Sequence, residues 1–100
     1  MSDLIKPFDK AVDAFWQHDY ISVDGHGINI ALLVRTRDWV PLRAKWWRGK
    51  EVSVIGADVD GNFFLRHGDG SVRYWSHVSQ SDKVVAKSVN EFVNLLSQEP

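Results

Sequence analysis

Cysteine is absent from this 100-residue chain, which excludes disulfide staples, thiol nucleophiles and every zinc site built on thiolates. A metal would have to be held by His, Asp or Glu alone. Long apolar runs are missing too: no window approaches the roughly 18 residues of a membrane span. The opening Met1-Ser2-Asp3-Leu4-Ile5-Lys6-Pro7 has neither a basic start nor an unbroken apolar stretch of signal-peptide length. The expected location is therefore cytoplasmic, with no membrane partner. Catalytic signatures are scarce as well. There is no Gly-x-Ser-x-Gly elbow and no His-x-x-x-His pair, and Gly56-Ala57-Asp58-Val59-Asp60-Gly61 lacks the Lys-Ser/Thr ending of a phosphate loop.

Aromatic rings are plentiful: five Trp, five Phe and two Tyr. A chain this short hides only about 60 to 65 % of its unfolded surface, and rings that bury on the order of 150 to 250 Å² each can still build a core. Net charge is only −1, but it is unevenly spread. Arg35, Arg37, Arg43, Lys45, Arg48 and Lys50 stand against Asp38 alone in residues 35–50, between two acidic flanks.

Leu4, Ile5, Phe8, Ala11, Val12, Phe15 and Trp16 fall at helical spacing, and Pro7 suits a first turn, so a helix is expected over about 7–17. Asp24-Gly25-His26-Gly27 signals a turn into a buried strand over about 28–36. A second strand is expected to follow Arg37-Asp38 and to run through Trp39, Val40, Leu42, Ala44 and Trp46, with Pro41 at an edge or bulge. Glu51 to Ile55, Asn62 to His67 and Val72 to Ser76 read as a meander joined at Asp60-Gly61 and Gly68-Asp69-Gly70. Residues 77–85 read as a polar connection. Ser88, three positions before Glu91, then marks a capping box at the start of a closing helix. The expected fold is one α+β domain over 1–100: a twisted antiparallel sheet of about five strands with an N-terminal and a C-terminal helix packed on it.

Two constellations invite a chemical reading. His67, Asp69, His77, Asp58 and Asp60 could be assembled around a metal, or the serines near His77 around a nucleophile. Acidic residues beside Gly are the commonest turn formers, however, and polar loop residues explain the rest. No metal, cofactor or enzymatic activity is expected. The cationic segment interleaves Trp39, Trp46 and Trp47 with Arg43 and Arg48, a mixture compatible with a core strand bearing a solvated face, with a protein interface or with nucleic acid.

Three segments together carry a family resemblance: Ile55-Gly56-Ala57-Asp58-Val59-Asp60-Gly61-Asn62, Gly70-Ser71-Val72-Arg73-Tyr74-Trp75-Ser76-His77 and Ala86-Lys87-Ser88-Val89-Asn90-Glu91-Phe92-Val93. Their order and spacing resemble the carboxy-terminal half of the SUKH superfamily. The amino-terminal half departs from that pattern, with one short helix in place of a longer helical region and its Asn-Gly-Gly loop. The resemblance implies a binding protein, most often an immunity protein that neutralises a toxin encoded nearby by tight, non-catalytic docking. The expected contact residues are Trp39, Arg43, Trp46, Trp47, Arg48, Asp58, Asp60 and Asp69. The alternative is a nucleic-acid-associated module using segment 35–50. Oligomeric state is left open by the sequence.

Overall fold

Short apolar runs punctuated by Gly turns fold back on one another as an antiparallel sheet, in a computed structural model that describes residues 6–23, 25–41 and 52–98. Helix α1 spans Lys6–Asp13 and is followed by a 3₁₀ turn at Phe15–Gln17. The strands are β1 (Tyr20–Val23), β2 (His26–Leu33), β3 (Val52–Asp58), β4 (Phe63–His67), β5 (Val72–Ser76) and β6 (Ser81–Ala86), and helix α2 spans Val89–Leu95. Among the described residues, these six strands lie in the sheet in sequence order, each antiparallel to the next.

Strand alternation sends one set of side chains to the helix-bearing face. There Phe8 and Ala11 of α1 and Val89 and Phe92 of α2 pack with Ile21, Ile30, Leu33, Ile55, Phe64 and Val72 of the strands. Phe92 is the hub, with its ring centroid 6.4 Å from Phe8 and 5.3 Å from Phe64. Ser88 caps α2 by accepting the Glu91 amide at 3.0 Å, and the Glu91 carboxylate reaches back to the Lys87 amide at 3.4 Å. A 3₁₀ turn at Thr36–Asp38 is tied down on α1, because Thr36 donates its amide and its hydroxyl to Asp9, each at 2.9 Å. Beyond α2, Ser97 bridges to Tyr20, so the segment after α2 covers part of the outer edge of β1.

The α+β architecture agrees with the sequence expectation, and the differences have local causes. The helix stops at Asp13, four residues short, and Trp16 is 64 % exposed on the 3₁₀ turn that follows. Tyr20–Val23 is a strand in a segment left unassigned between the expected helix and the Asp24-Gly25-His26-Gly27 turn. Its hairpin closes between the paired Val23 and His26, so β2 begins two residues before the expected position and ends at Leu33. Trp39 and Val40 are not in a strand, and Pro41 makes only an isolated bridge to Ser53. The rest of the expected second strand lies outside the described residues. The polar connection at 77–85 is corrected to a turn plus β6, whose mostly exposed pattern left no apolar alternation to read. An edge strand needs no buried face on both sides.

Gly56 is required by close approach. A Cβ there would lie 3.0 Å from the Leu32 carbonyl oxygen of the paired strand and 3.1 Å from Leu33 Cδ2, beside the bulge that inserts Ile55. Gly56→Ala is expected to cost about 1–3 kcal/mol through overpacking against backbone. Urea unfolding that gives the variant wild-type stability would show that β2 and β3 do not pack this closely.

Candidate functional site

At the end of β3 the helix-bearing face turns polar. Phe64 and Tyr74 are cross-strand partners with ring centroids 5.2 Å apart, so Tyr74 continues the Phe92–Phe64 row while its hydroxyl reaches across β4 to Asp58. Asp58 is only 4 % exposed. Its Oδ1 accepts the amides of Asp60 at 2.9 Å and Asn62 at 2.8 Å. Its Oδ2 accepts Asn62 Nδ2 at 3.1 Å and the Tyr74 hydroxyl. Every acceptor position of the carboxylate is therefore taken. The same turn needs the left-handed backbone of Gly61, at φ +88°.

Asn62 completes the network. Its Nδ2 also donates to the Tyr74 oxygen at 2.8 Å, while its Oδ1 accepts the His77 amide at 2.9 Å and lies 2.6 Å from His77 Nδ1. A backbone amide can only donate and a carboxylate can only accept, so the amide orientation of Asn62 is fixed from both sides. It follows that His77 Nδ1 carries a proton and that Nε2 is its other ring position. One side chain thus joins the β3–β4 turn to the start of the β5–β6 turn.

Electrostatics follows from this wiring. Burial alone would raise the pKa of Asp58, but the hydrogen bonds from Tyr74, Asn62 and the Asp60 amide outweigh it and hold the carboxyl below its ordinary value. Burial, and then the bond to the ionised Asp58, push the Tyr74 phenol well above its ordinary value, so it remains a donor. Beside the network opens a groove of about 430 Å³, walled by Ile28 and Asn29 of β2, Asp58, Val59, Tyr74 and Lys83. In an antiparallel meander the β1–β2, β3–β4 and β5–β6 turns fall at the same end, and there they form a rim. Val59 is 62 % and Val78 83 % exposed on that rim, next to the exposed Asp60.

The residues singled out in the sequence are distributed unevenly around this geometry. Asp60 is on the rim, whereas Asp58 lies inside the fold as the acceptor of the network. Asp69 is at the opposite end, in the β4–β5 turn, where its carboxylate accepts the Ser71 amide at 2.9 Å and hydroxyl at 2.7 Å. Those two bonds from Ser71 lower its pKa. Trp39 is half-buried, edge-on to Phe8 at 5.4 Å, with its indole N–H donated to the Val34 carbonyl at 2.7 Å. Arg43, Trp46, Trp47 and Arg48 lie outside the described residues. His67 points to the other face, with Nε2 3.2 Å from Asp82 Oδ2, and is remote from His77. Among the described residues no three His, Asp or Glu side chains are placed to share an ion. Asn62 and Tyr74 carried no role in the sequence reading. The signal that could have found them is the turn Asp58-x-x-x-Asn62, where an Asx side chain can cap its own loop.

Asn62→Ala leaves several buried groups unsatisfied and is expected to cost about 2–4 kcal/mol, against about 1–2 for Tyr74→Phe. Because the folded-state pKa of Asp58 is depressed, its contribution is present above the unfolded value near 4 and is lost as pH falls through the folded value. Urea unfolding of the wild type between pH 6 and 2 is expected to show this loss, and Asp58→Asn should show a smaller one; parallel curves would remove Asp58 from the acid response. Compared with protein-family models, with curated proteins and with solved structures, the chain matches none.

Proposed function

We propose that this domain is a SUKH-like, non-catalytic binding protein that neutralises a toxin by stoichiometric docking, and that it docks through the rim of three turns. The observation that supports this most is the convergence of the segments that carry the resemblance. Asp58 and Asn62 of the first segment bond to Tyr74 and His77 of the second, while Phe92 of the third packs on Phe64 beneath them. Asp58 and Asn62 have no hydrogen-bonding capacity left for a substrate, and the Tyr74 proton is committed to Asp58. The wiring suits a frame.

A frame of this kind favours docking because rim loops held before contact lose little freedom on binding. Exposed Val59 and Val78 supply apolar contact, and Asp60 adds a negative charge that complements a basic partner surface. The nucleic-acid alternative is weakened by its described members. Trp39 is packed on Phe8 and Arg35 is paired with Asp13 on α1, so of these described members only the exposed Arg37, 3.9 Å from Asp38, presents its charge outward.

Co-expression with the toxin encoded beside it should restore growth and yield a one-to-one complex. The double variant Val59→Asp/Asp60→Lys is expected to weaken that complex at least about tenfold, a change of roughly 1.4 kcal/mol, at an unchanged unfolding midpoint. Full affinity in the double variant would move the interface away from the rim. Oligonucleotide binding that weakens steeply with salt would replace the reading with the alternative.

A further inference from the structure

The opposite end of the β3–β4 pair holds a cation whose position is not explained by the fold. Arg66 stands directly across from Ser53 in the antiparallel register, so the two side chains share a face. Its guanidinium carbon lies 5.8 Å from the centroid of the Trp39 ring, and Trp39 is itself fixed by its bond to Val34. The Nε atom of Arg66 is enclosed, yet no acceptor lies within hydrogen-bond reach of it among the described residues. An enclosed donor of that kind is rare in folded proteins, because losing water without gaining an acceptor is costly.

The nearby carboxylates have other partners. Asp82 lies 3.3 Å from Arg73 Nη1 and 3.2 Å from His67 Nε2, and Asp69 is 3.9 Å from Arg73 Nη2. Arg35 and Arg37 pair with Asp13 and Asp38, so among the described residues Arg66 is the arginine outside these pairs. Beside it lies a cavity of about 220 Å³ lined by Val52, Ser53, Arg66, His67 and Gly68. That volume admits a few heavy atoms and no large ligand.

We infer that Arg66 and Ser53 form a binding site for a small oxyanion, a carboxylate or phosphoryl group, at the end of the sheet opposite the docking rim. With Nε enclosed, the two terminal nitrogens are the parallel donors, the fork that two oxygens of an oxyanion match. The Ser53 hydroxyl is a third donor from the facing strand. The Trp39 ring lies on one side of the guanidinium and restricts where it can move before the anion arrives. This site stands independently of the toxin-docking reading, since it uses other residues at the other end of the molecule.

The test is a titration of the full chain followed by ¹⁵N–¹H spectra that include the Arg66 Nε–H and the Trp39 indole N–H. Sodium acetate and sodium phosphate are compared with sodium chloride at equal ionic strength. Saturable shifts of both signals with an oxyanion and none with chloride are expected; tighter acetate binding would assign a carboxylate, tighter phosphate binding a phosphoryl group. Arg66→Gln should weaken binding at least about tenfold, the scale of one lost charge-assisted bond, and Ser53→Ala by a smaller factor. If Arg66→Gln fails to fold, Arg66→Lys keeps the charge, loses the fork and should still bind more weakly. No saturable shift in the wild type, or equal affinity in the folded Arg66 variant, would overturn the site.

Discussion

The fold's loop end depends on the closed hydrogen-bond network centred on Asn62. Its two amide protons go to Asp58 and Tyr74, and its oxygen takes both the backbone and the ring proton of His77. Networks of this kind strengthen in a low-dielectric setting and penalise any half-made state, so they select one geometry. Here the selected geometry couples two things that the chain could otherwise vary separately. Tyr74 is the last ring of the aromatic row that begins at Phe8, and it is also the donor that completes Asp58. Core packing and rim shape are therefore set together.

The sheet is asymmetric in a second direction. The helix-bearing face holds the apolar cluster, whereas the other face carries Leu65 and Val52, buried outside that cluster, and the polar group of His67, Arg73 and Asp82. The two ends differ too: Asp58, Asp60 and the exposed valines lie at one, Arg66 and Ser53, with Asp69 in the β4–β5 turn, at the other. The exposed valines with Asp60 and the cavity beside Arg66 thus lie on separate surfaces.

Much of the architecture was legible in the residues. Alternation and Asp-Gly turns marked β3, β4 and β5, and Ser88 with Glu91 marked α2, because each of those signals is local. What escaped was set by tertiary pairing. β1 is four residues long and sits where helical spacing had just ended, and β6 is an edge strand whose exposed residues resemble a loop. Tyr20 and Ser97 meet only because the fold brings β1 beside the segment that follows α2.

The candidate site was half legible. Asp58, Asp60 and His77 attracted notice as acids and an imidazole near turns, but composition could not separate the inward Asp58 from the outward Asp60; the strand ends at Asp58 and the turn that follows carries Asp60 outward. Arg66 carried no sequence signal, since its significance lies in an enclosed Nε and a ring on its flank. The central claim, that Asn62 locks the rim before any partner arrives, is tested most directly by amide hydrogen exchange at Asp60, Asn62 and His77 in the free domain. Protection approaching that of the β3 and β4 amides is the predicted result. Exchange at the rate of an unstructured peptide would contradict the account.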